Sequence, residues 1–152
     1  MLLCARGNLM NAATEGELSL SRLLPYQAEW QILRTGRPNV LIEGTVADTD
    51  AVLVLLQPYL AQPITWRRPG APLVLAGDEP HVLVLEQVTT LSLEDQSRLF
   101  EWLDHRRARI QVLSTTERPL YELVSRGLFD AALYYRLNVI LLNVGSRDER
   151  RA

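Results

Sequence analysis

The stretch HVLVLEQVTTLSLEDQSRLFEWL, residues 81–103, carries the clearest structural pattern in the chain. Its first six residues form a mainly apolar, β-branched run, as is typical of a strand buried on both faces of a parallel sheet. After a polar turn, apolar residues recur at the spacing of an amphipathic helix, and Ser92 with Asp95 resembles a capping box. A buried strand followed by such a helix predicts an α/β unit.

Similar apolar runs lie on both sides of this unit. They are NVLIE at 39–43, RIQVLS at 109–114 and VILLNV at 139–144, with weaker strand candidates at 64–67 and 72–75. Helical patterns separate them, and this alternation favours an α/β fold with helices on both faces of the sheet. We therefore predict a three-layer sandwich with a mainly parallel, five-stranded sheet.

The remaining periodic segments predict helices at 21–35, 50–61, 91–107, 120–125 and 130–137. Gly36 is suited to cap the first of these helices, and Thr49 or Asp50 to begin the second. Pro58 is expected to distort the last turn of the second helix.

The chain is divided by these patterns into three parts. Residues 1–18 show no period and predict a flexible arm, 19–145 the α/β domain, and 146–152 a charged tail. In sheets of this kind, sites form beyond the carboxyl ends of the strands. Site residues are therefore expected in the segments 44–50, 86–90 and 114–118.

The composition excludes several chemistries. All 16 basic residues are arginine, so the chain of 152 residues contains no lysine for a Schiff base or a phosphate-binding loop. One cysteine, Cys4, and two histidines, His81 and His105, predict no metal site. A net charge of −2 gives no basic field for nucleic acid. We find no pattern of a signal peptide or a membrane span, and expect a cytoplasmic protein.

Several stretches together resemble the AAA+ domain of sigma-54-dependent transcription activators. NVLIEG at 39–44 is similar to their first strand and the start of the phosphate-binding loop, and 81–103 to their Walker B strand and following helix. Residues 109–144 are similar to the segment from the sensor I strand to the last strand, and LYYRLNV at 133–139 is its most specific string. The resemblance covers about residues 20–144 and implies a P-loop NTPase/AAA+-like core.

The residues that would bind a nucleotide depart from this resemblance. The phosphate-binding loop of the family needs a glycine-rich turn and a lysine. Here Gly44 is the remaining glycine, Asp48 and Thr49 replace other loop residues, and Asp50 stands at the position of the lysine. No nucleotide is expected to bind.

The Walker B and sensor positions are also changed. Glu86 and Gln87 match the Walker B pair, and Glu117 stands at the sensor I position. Gln87 occupies the position of the water-activating glutamate, and an amide cannot act as a general base. Only 42 positions separate Gly44 from Glu86, and no GAFTGA-type string occurs. The resemblance therefore implies a core without the sigma-contacting loop, and without the lid.

Subunit contacts in the rings of this family lie near the nucleotide site and the arginine-finger helix. By analogy, the interface candidates are Arg126, Asp130, Tyr134 and Arg136. Asp130 stands at the first finger position and Arg136 at the second; a salt bridge that anchors the helix is the alternative interpretation of Arg136. Because Tyr134 and Tyr135 are adjacent on one predicted helix, we expect one to face inward and the other outward.

These replacements predict a catalytically inactive AAA+-like module, not an enzyme, that acts in transcription regulation through protein contacts. Its partner would be a full-length sigma-54 activator or a second copy of the chain, and no cofactor is expected. The alternative is an atypical ATP-binding, sigma-54-dependent activator, which alone would need ATP and Mg²⁺. Direct nucleic-acid binding by the WRRPG stretch at 66–70 is the weaker interpretation of what looks like an exposed turn. A Mg²⁺ pocket formed by Asp48, Asp50 and Glu86 is weaker than the interpretation of these acids as loop residues and helix caps.

Overall fold

The strands follow the short apolar runs of the sequence and join into one parallel sheet. The computed structural model describes residues 35–75, 81–105 and 110–144. Within these ranges the strands are β1 (Val40–Glu43), β2 (Ile64–Arg67), β3 (His81–Leu85), β4 (Ile110–Thr116) and β5 (Ile140–Asn143). Their spatial order is β2-β3-β4-β1-β5, and all four neighbouring pairs are parallel. The predicted parallel, five-stranded sheet is confirmed.

Helices cover both faces of this sheet. They are α1 (Val46–Leu56), α2 (Leu93–His105), α3 (Leu120–Ser125) and α4 (Ala131–Leu137). Alternate residues of the strands face opposite layers: Ile42 packs in the cluster with α1, and Leu41 in the cluster with α2, α3 and α4. The predicted three-layer α/β sandwich is confirmed.

The helix after β1 begins one turn earlier than predicted. The Thr45 hydroxyl accepts a hydrogen bond from the Asp48 N–H at 3.2 Å and caps the helix, so the prediction that Thr49 or Asp50 begins it is wrong. Thr49 is fully buried inside α1, where its hydroxyl donates to the Val46 carbonyl. At the other end α1 stops at Leu56, and a 3-10 turn containing Pro58 follows, as the sequence indicated.

Two strand predictions need correction. Residues 72–75 form no strand: Leu73 is buried in the core, Val74 is 65% exposed, and the segment pairs with no strand. Strand β4 extends past Ser114 to Thr116, because Thr115 and Thr116 remain paired with β1. Apolar content therefore predicted the beginning of this strand but missed its polar end.

The helix ends were predicted with mixed success. Ser92 accepts a hydrogen bond from the Asp95 N–H at 3.1 Å, as a capping residue of α2 does. Gly127 has a φ of 72° just after α3, as a residue that ends a helix often does. Residues 35–36 are helical, but the left-handed residue after them is Arg37, with a φ of 49°, and not Gly36.

Several predictions lie outside the described residues. They are the arm 1–18, most of the helix 21–35, the end of the helix 91–107, and the tail 146–152. In the ranges that are described, no helix is both long and apolar enough to cross a bilayer.

Candidate functional site

The carboxyl ends of the parallel strands bring the predicted site segments to one edge of the sheet. Gly44 follows β1, Glu86 and Gln87 follow β3, and Glu117 follows β4. The Gly44 N–H donates to the Thr116 carbonyl at 3.0 Å, so the turns after β1 and β4 are joined directly. We call this region the carboxyl edge.

The turn after β1 is a direct entry into α1. The Thr45 side chain accepts from the Asp48 N–H, and the Thr45 carbonyl accepts from the Thr49 N–H at 2.9 Å. Two N–H groups of the segment that corresponds to the phosphate-binding loop are therefore already bonded within the helix. Asp50 is exposed one position further on.

Glu86 forms an ion pair that the sequence did not reveal. The Arg68 Nη1 atom lies 3.1 Å from Glu86 Oε1 and 3.2 Å from Oε2. The Glu86 side chain is only 10% exposed, whereas that of Arg68 is 73% exposed and its guanidinium lies 5.7 Å from the centre of the Trp66 ring. Glu86 is thus largely buried and neutralised by one arginine from the end of β2.

Gln87 is fixed mainly through its backbone. It has a φ of 51°, its N–H donates to the Thr115 hydroxyl at 2.9 Å, and its carbonyl accepts from the Thr90 hydroxyl at 2.8 Å. These bonds tie the turn after β3 to the polar end of β4. They also give the buried Thr115 side chain a structural role.

The basic-aromatic stretch at 66–70 covers the end of β2 and the turn that follows it, and is only partly exposed. Arg67 is 5% exposed; its Nε donates to the Ala71 carbonyl at 3.0 Å and its Nη1 to the Thr90 hydroxyl at 2.7 Å. Burial lowers the pKa of the Arg67 guanidinium, and the charge of Asp95 opposes that change. Arg67 therefore joins the turn after β2 to the turn after β3, and of the two arginines Arg68 is the exposed one.

A cavity of about 420 Å³ opens at this edge between α1 and the end of β2. Its lining residues are Asp50, Leu53, Val54, Gln57, Trp66, Arg68 and Glu86. The structure thus brings Asp50 and Glu86 together in one cavity, with Arg68 beside them. The other predicted positions, Gly44, Asp48, Thr49, Gln87 and Glu117, lie outside its lining.

Glu43, at the end of β1, is a buried acid that sequence reasoning missed. Its Oε1 accepts a hydrogen bond from the Leu120 N–H at 3.2 Å, at the start of α3. Burial raises the pKa of Glu43 above its ordinary value of 4.5, the Leu120 hydrogen bond opposes this, and the nearby charge of Glu122 adds to it. The signal was the acid that ends the apolar run NVLIE.

The raised pKa of Glu43 has a stability consequence. Between pH 4.5 and the raised native pKa, the native state holds a proton that the unfolded chain has lost, so this contribution to stability decreases as pH rises through that range. Glu43→Gln keeps an acceptor for Leu120 and does not ionise, so folding at neutral pH requires neither a buried charge nor the uptake of a proton at this position. We expect it to raise the free energy of unfolding at pH 7 by roughly 1 kcal/mol, measured by urea denaturation.

The same variant should lose its advantage below pH 4.5, where both states of the wild type are protonated. Glu122→Gln, at an exposed position, is the control and should change the pH profile much less. An equal gain for Glu43→Gln at every pH would contradict this assignment.

The interface candidates on and near α4 have structural contacts. Asp130 caps α4, since its Oδ1 accepts from the Leu133 N–H at 2.7 Å, and its own N–H donates to Gln96 Oε1 at 2.8 Å. Arg126 is exposed and lies at the end of α3.

Arg136 forms the salt bridge that its alternative interpretation required. Its Nη2 lies 2.8 Å from Asp104 Oδ1, its guanidinium lies 5.4 Å from the centre of the Phe100 ring, and its carbonyl accepts from Asn39 Nδ2. The side chain is 24% exposed. Arg136 therefore anchors α4 to α2 while keeping part of its surface accessible.

The tyrosine pair on α4 divides as predicted, with one ring inward and one outward. Tyr134 is 9% exposed and its hydroxyl accepts a hydrogen bond from Asn138 at 2.9 Å, whereas Tyr135 is 67% exposed. Tyr134 is thus a core residue, and Tyr135 is the tyrosine of this helix that is exposed for an interface.

Half of the chain matches a known sequence family. The model for the family described as the sigma-54 interaction domain matches residues 71–146. The pathogenicity-locus regulatory protein HrpR of Pseudomonas syringae pv. syringae is 32% identical over 80 residues, which cover 45% of this chain and 26% of that protein. The anaerobic nitric oxide reductase transcription regulator NorR of Vibrio vulnificus strain YJ016 is 37% identical over 79 residues, covering 45% and 16%. This chain therefore spans about a quarter or less of these relatives.

Solved structures share this fold. NtrX from Brucella abortus in complex with ATP superposes with a TM-score of 0.62 at 16% identity, over 88% of this chain and 38% of that chain. The P-loop NTPase domain of the sigma-54 transport activator from E. coli gives 0.50 at 17% identity, over 72% and 98%. At these identities the likeness establishes the fold alone, whereas the match over residues 71–146 establishes the family. The chain belongs to the sigma-54 interaction domain family, with the P-loop NTPase type of α/β fold.

Proposed function

We propose that this chain is a catalytically inactive member of its family that acts in transcription regulation through protein contacts. The observation that carries the proposal is the Arg68–Glu86 ion pair, with Gln87 next to it. Glu86 matches the Walker B position that would face a metal ion, and both of its carboxylate oxygens already lie within hydrogen-bond distance of Arg68. An arginine bound in this way competes with a divalent cation for the same oxygens.

The backbone N–H groups and the charges after β1 are also poorly suited to bind a polyphosphate. A phosphate-binding loop presents its backbone N–H groups to the ligand, but those of Asp48 and Thr49 are bonded to Thr45. Asp50 adds a negative charge where the family has a lysine. At an effective dielectric constant near 20, a unit-charge pair about 4 Å apart interacts by roughly 4 kcal/mol, and here the sign is repulsive.

Hydrolysis of ATP also requires activation of a water molecule, and this step would lack its general base. A side-chain amide has no proton equilibrium near neutral pH that would let it act as a general base, so Gln87 cannot replace a glutamate in that role. Three separate replacements therefore act in the same direction: on the phosphates, on the metal ion and on the attacking water. The packing residues of the fold are kept, and this supports a role that acts through protein contacts.

Calorimetry with ATP and MgCl₂ tests the proposal directly. We expect no saturable heat from the wild-type chain and no phosphate release. The midpoint of thermal unfolding should be unchanged by ATP. If ATP did bind, a concentration of about 100 times its Kd would stabilise the native state by roughly 2.7 kcal/mol. Saturable binding with micromolar affinity, or hydrolysis, would overturn the proposal and support the alternative of an atypical ATP-binding activator.

A matched pair of variants makes the titration more informative. Asp50→Lys restores the missing cation, and Asp50→Asn only removes the negative charge. If electrostatics at this position limits binding, Asp50→Lys should bind ATP more tightly than Asp50→Asn, and both more tightly than the wild type. Circular dichroism confirms that each variant is folded, which is expected because Asp50 is exposed.

A further inference from the structure

A second cavity lies at the opposite edge of the sheet from the nucleotide-related residues. It has a volume of about 430 Å³ and forms where the chain enters β1, β4 and β5. The residues of its lining that matter here are Arg37, Asn39, Phe100, Tyr135, Arg136 and Val139. We call it the amino-edge groove.

Among the described residues, two charged side chains line this groove, and both are arginines. Arg37 is exposed just before β1, and Arg136 is partly exposed on α4. One acid, Asp104, pairs with Arg136 through Nη2, and a guanidinium carries five N–H donors in all. The groove therefore has more positive than negative charge, although the chain as a whole has a net charge of −2.

Asn39 makes the groove rigid. Its Nδ2 donates to the Arg136 carbonyl at 2.9 Å and its Oδ1 accepts from the Val112 N–H at 2.8 Å. One side chain thus joins the start of β1 to β4 and to the end of α4. The two arginines are consequently attached to segments whose backbones are held together before any partner arrives, which reduces the entropy lost on binding.

Apolar surface lies beside these charges. Tyr135 is 67% exposed and Val139 is 62% exposed, and both line the groove. The Tyr135 ring is held edge-on against Tyr134, with 5.2 Å between the ring centres. Tyrosine and arginine are enriched among the residues that dominate binding energy at protein interfaces.

We propose that the amino-edge groove binds an acidic segment of a partner protein. A carboxylate of the segment pairs with Arg37 and Arg136, and a neighbouring apolar side chain lies against Tyr135 and Val139. Positive charge beside the exposed apolar surface of Tyr135 and Val139 fits an acidic peptide that also carries apolar side chains better than it fits a phosphate backbone. This inference rests on the proposed protein-contact function and names the surface and the chemistry of its partner.

The test uses a fluorescein-labelled peptide that repeats Asp-Leu-Glu-Phe, with fluorescence anisotropy as the readout. We expect the full chain to bind it, with an affinity that falls as salt is added because the charges are exposed. A peptide with Lys at every acidic position should bind at least about tenfold more weakly, which corresponds to roughly 1.4 kcal/mol. Equal binding of both peptides, or tighter binding of a single-stranded oligonucleotide, would overturn the proposal.

Variants place the binding on the groove. Arg37→Gln and Tyr135→Ala alter exposed side chains, and each should weaken binding of the acidic peptide by about tenfold. Arg118→Gln, an exposed arginine at the carboxyl edge, is the matched control and should bind like the wild type. Unchanged affinity in both groove variants would refute the site. Arg136→Gln is less informative, because Arg136 also anchors α4.

Two further outcomes distinguish an acidic partner from a second copy of the chain, and the groove from the nucleotide-related edge. Self-association of the wild type that is lost in Tyr135→Ala, without any peptide binding, would show that a second copy occupies the groove and would overturn the proposed partner. If ATP binds but the acidic peptide still binds through Arg37 and Tyr135, the inactive function fails and the groove stands. If neither variant changes the peptide affinity and ATP does not bind, the groove is refuted and the inactive function stands.

Discussion

Gln96→Leu is expected to cost the fold roughly 3 kcal/mol, the largest effect that we predict for a single polar side chain. Gln96 is 1% exposed on α2. Its Nε2 donates to the Leu91 carbonyl at 3.1 Å and to the Leu128 carbonyl at 3.4 Å, and its Oε1 accepts from the Asp130 N–H at 2.8 Å. Leucine has a similar volume but leaves these three backbone groups without their partner.

The loss should be concentrated where the chain enters α4. Because Asp130 caps that helix, we expect faster hydrogen exchange at the amides of Asp130 and Leu133 in the variant, along with a lower midpoint in urea. Ser97→Ala, at the next and exposed position of α2, is the control and should stay within about 0.5 kcal/mol of the wild type. A loss of less than about 1 kcal/mol in Gln96→Leu would mean that water replaces the amide.

The sequence predicted the sheet well because buried parallel strands have a simple physical signature. Runs such as HVLVLE are apolar at nearly every position since both faces of the sheet are covered, and a strand with one solvated face would alternate instead. Strand ends were harder to predict. β4 continues through Ser114, Thr115 and Thr116, whose burial depends on pairing with β1 and not on apolar character.

The carboxyl edge could be located from the sequence, but its contacts could not. Parallel strands place the residues after β1, β3 and β4 at one edge, and a cluster of Asp48, Asp50 and Glu86 there was the weaker interpretation of these acids. Arg68 was missed because its significance depends on register: Arg67 pairs with Leu85, which sets Arg68 beside Glu86. Had the pairing of β2 with β3 been assumed in that register, the ion pair would have been a natural prediction.

Side-chain direction limited the prediction at α4. Adjacent tyrosines on a helix must point in different directions, so sequence alone predicted one buried and one exposed ring without identifying which. Packing decides the matter, since Tyr134 joins the core cluster with Leu133 and Leu137. The groove beside Tyr135 depends on Arg37 and Phe100, which are distant in sequence and come together only in the folded chain.

Arg68→Ala is the second variant with a large expected effect, a loss of about 2 kcal/mol in the free energy of unfolding at pH 7. It leaves the Glu86 carboxylate, 10% exposed, without its paired cation. Removing one partner of a fully buried pair costs roughly 3–5 kcal/mol, but solvent screens this pair because Arg68 is 73% exposed. The smaller figure includes that screening.

A double-mutant cycle separates the ion pair from the stacking of Arg68 on Trp66. Glu86→Gln alone should cost less than about 1 kcal/mol, because the neutral amide needs no cation. In the Glu86→Gln background, Arg68→Ala should then cost clearly less than in the wild type. Equal costs in both backgrounds would assign the effect of Arg68 to its contact with Trp66. Arg98→Ala, which breaks the exposed pair with Asp95, is the surface control and should cost under about 1 kcal/mol.

Arg68→Ala also tests whether Arg68 occupies the place of a divalent cation. If Arg68 holds the oxygens of Glu86 in place of a divalent ion, Arg68→Ala should be stabilised by millimolar Mn²⁺ through Glu86 and Asp50, which line one cavity. The wild type and the Arg68→Ala/Glu86→Gln double variant should show no such stabilisation. Thermal unfolding with and without Mn²⁺ measures this difference, and an identical response in all three proteins would mean that Arg68 does not occupy a cation position.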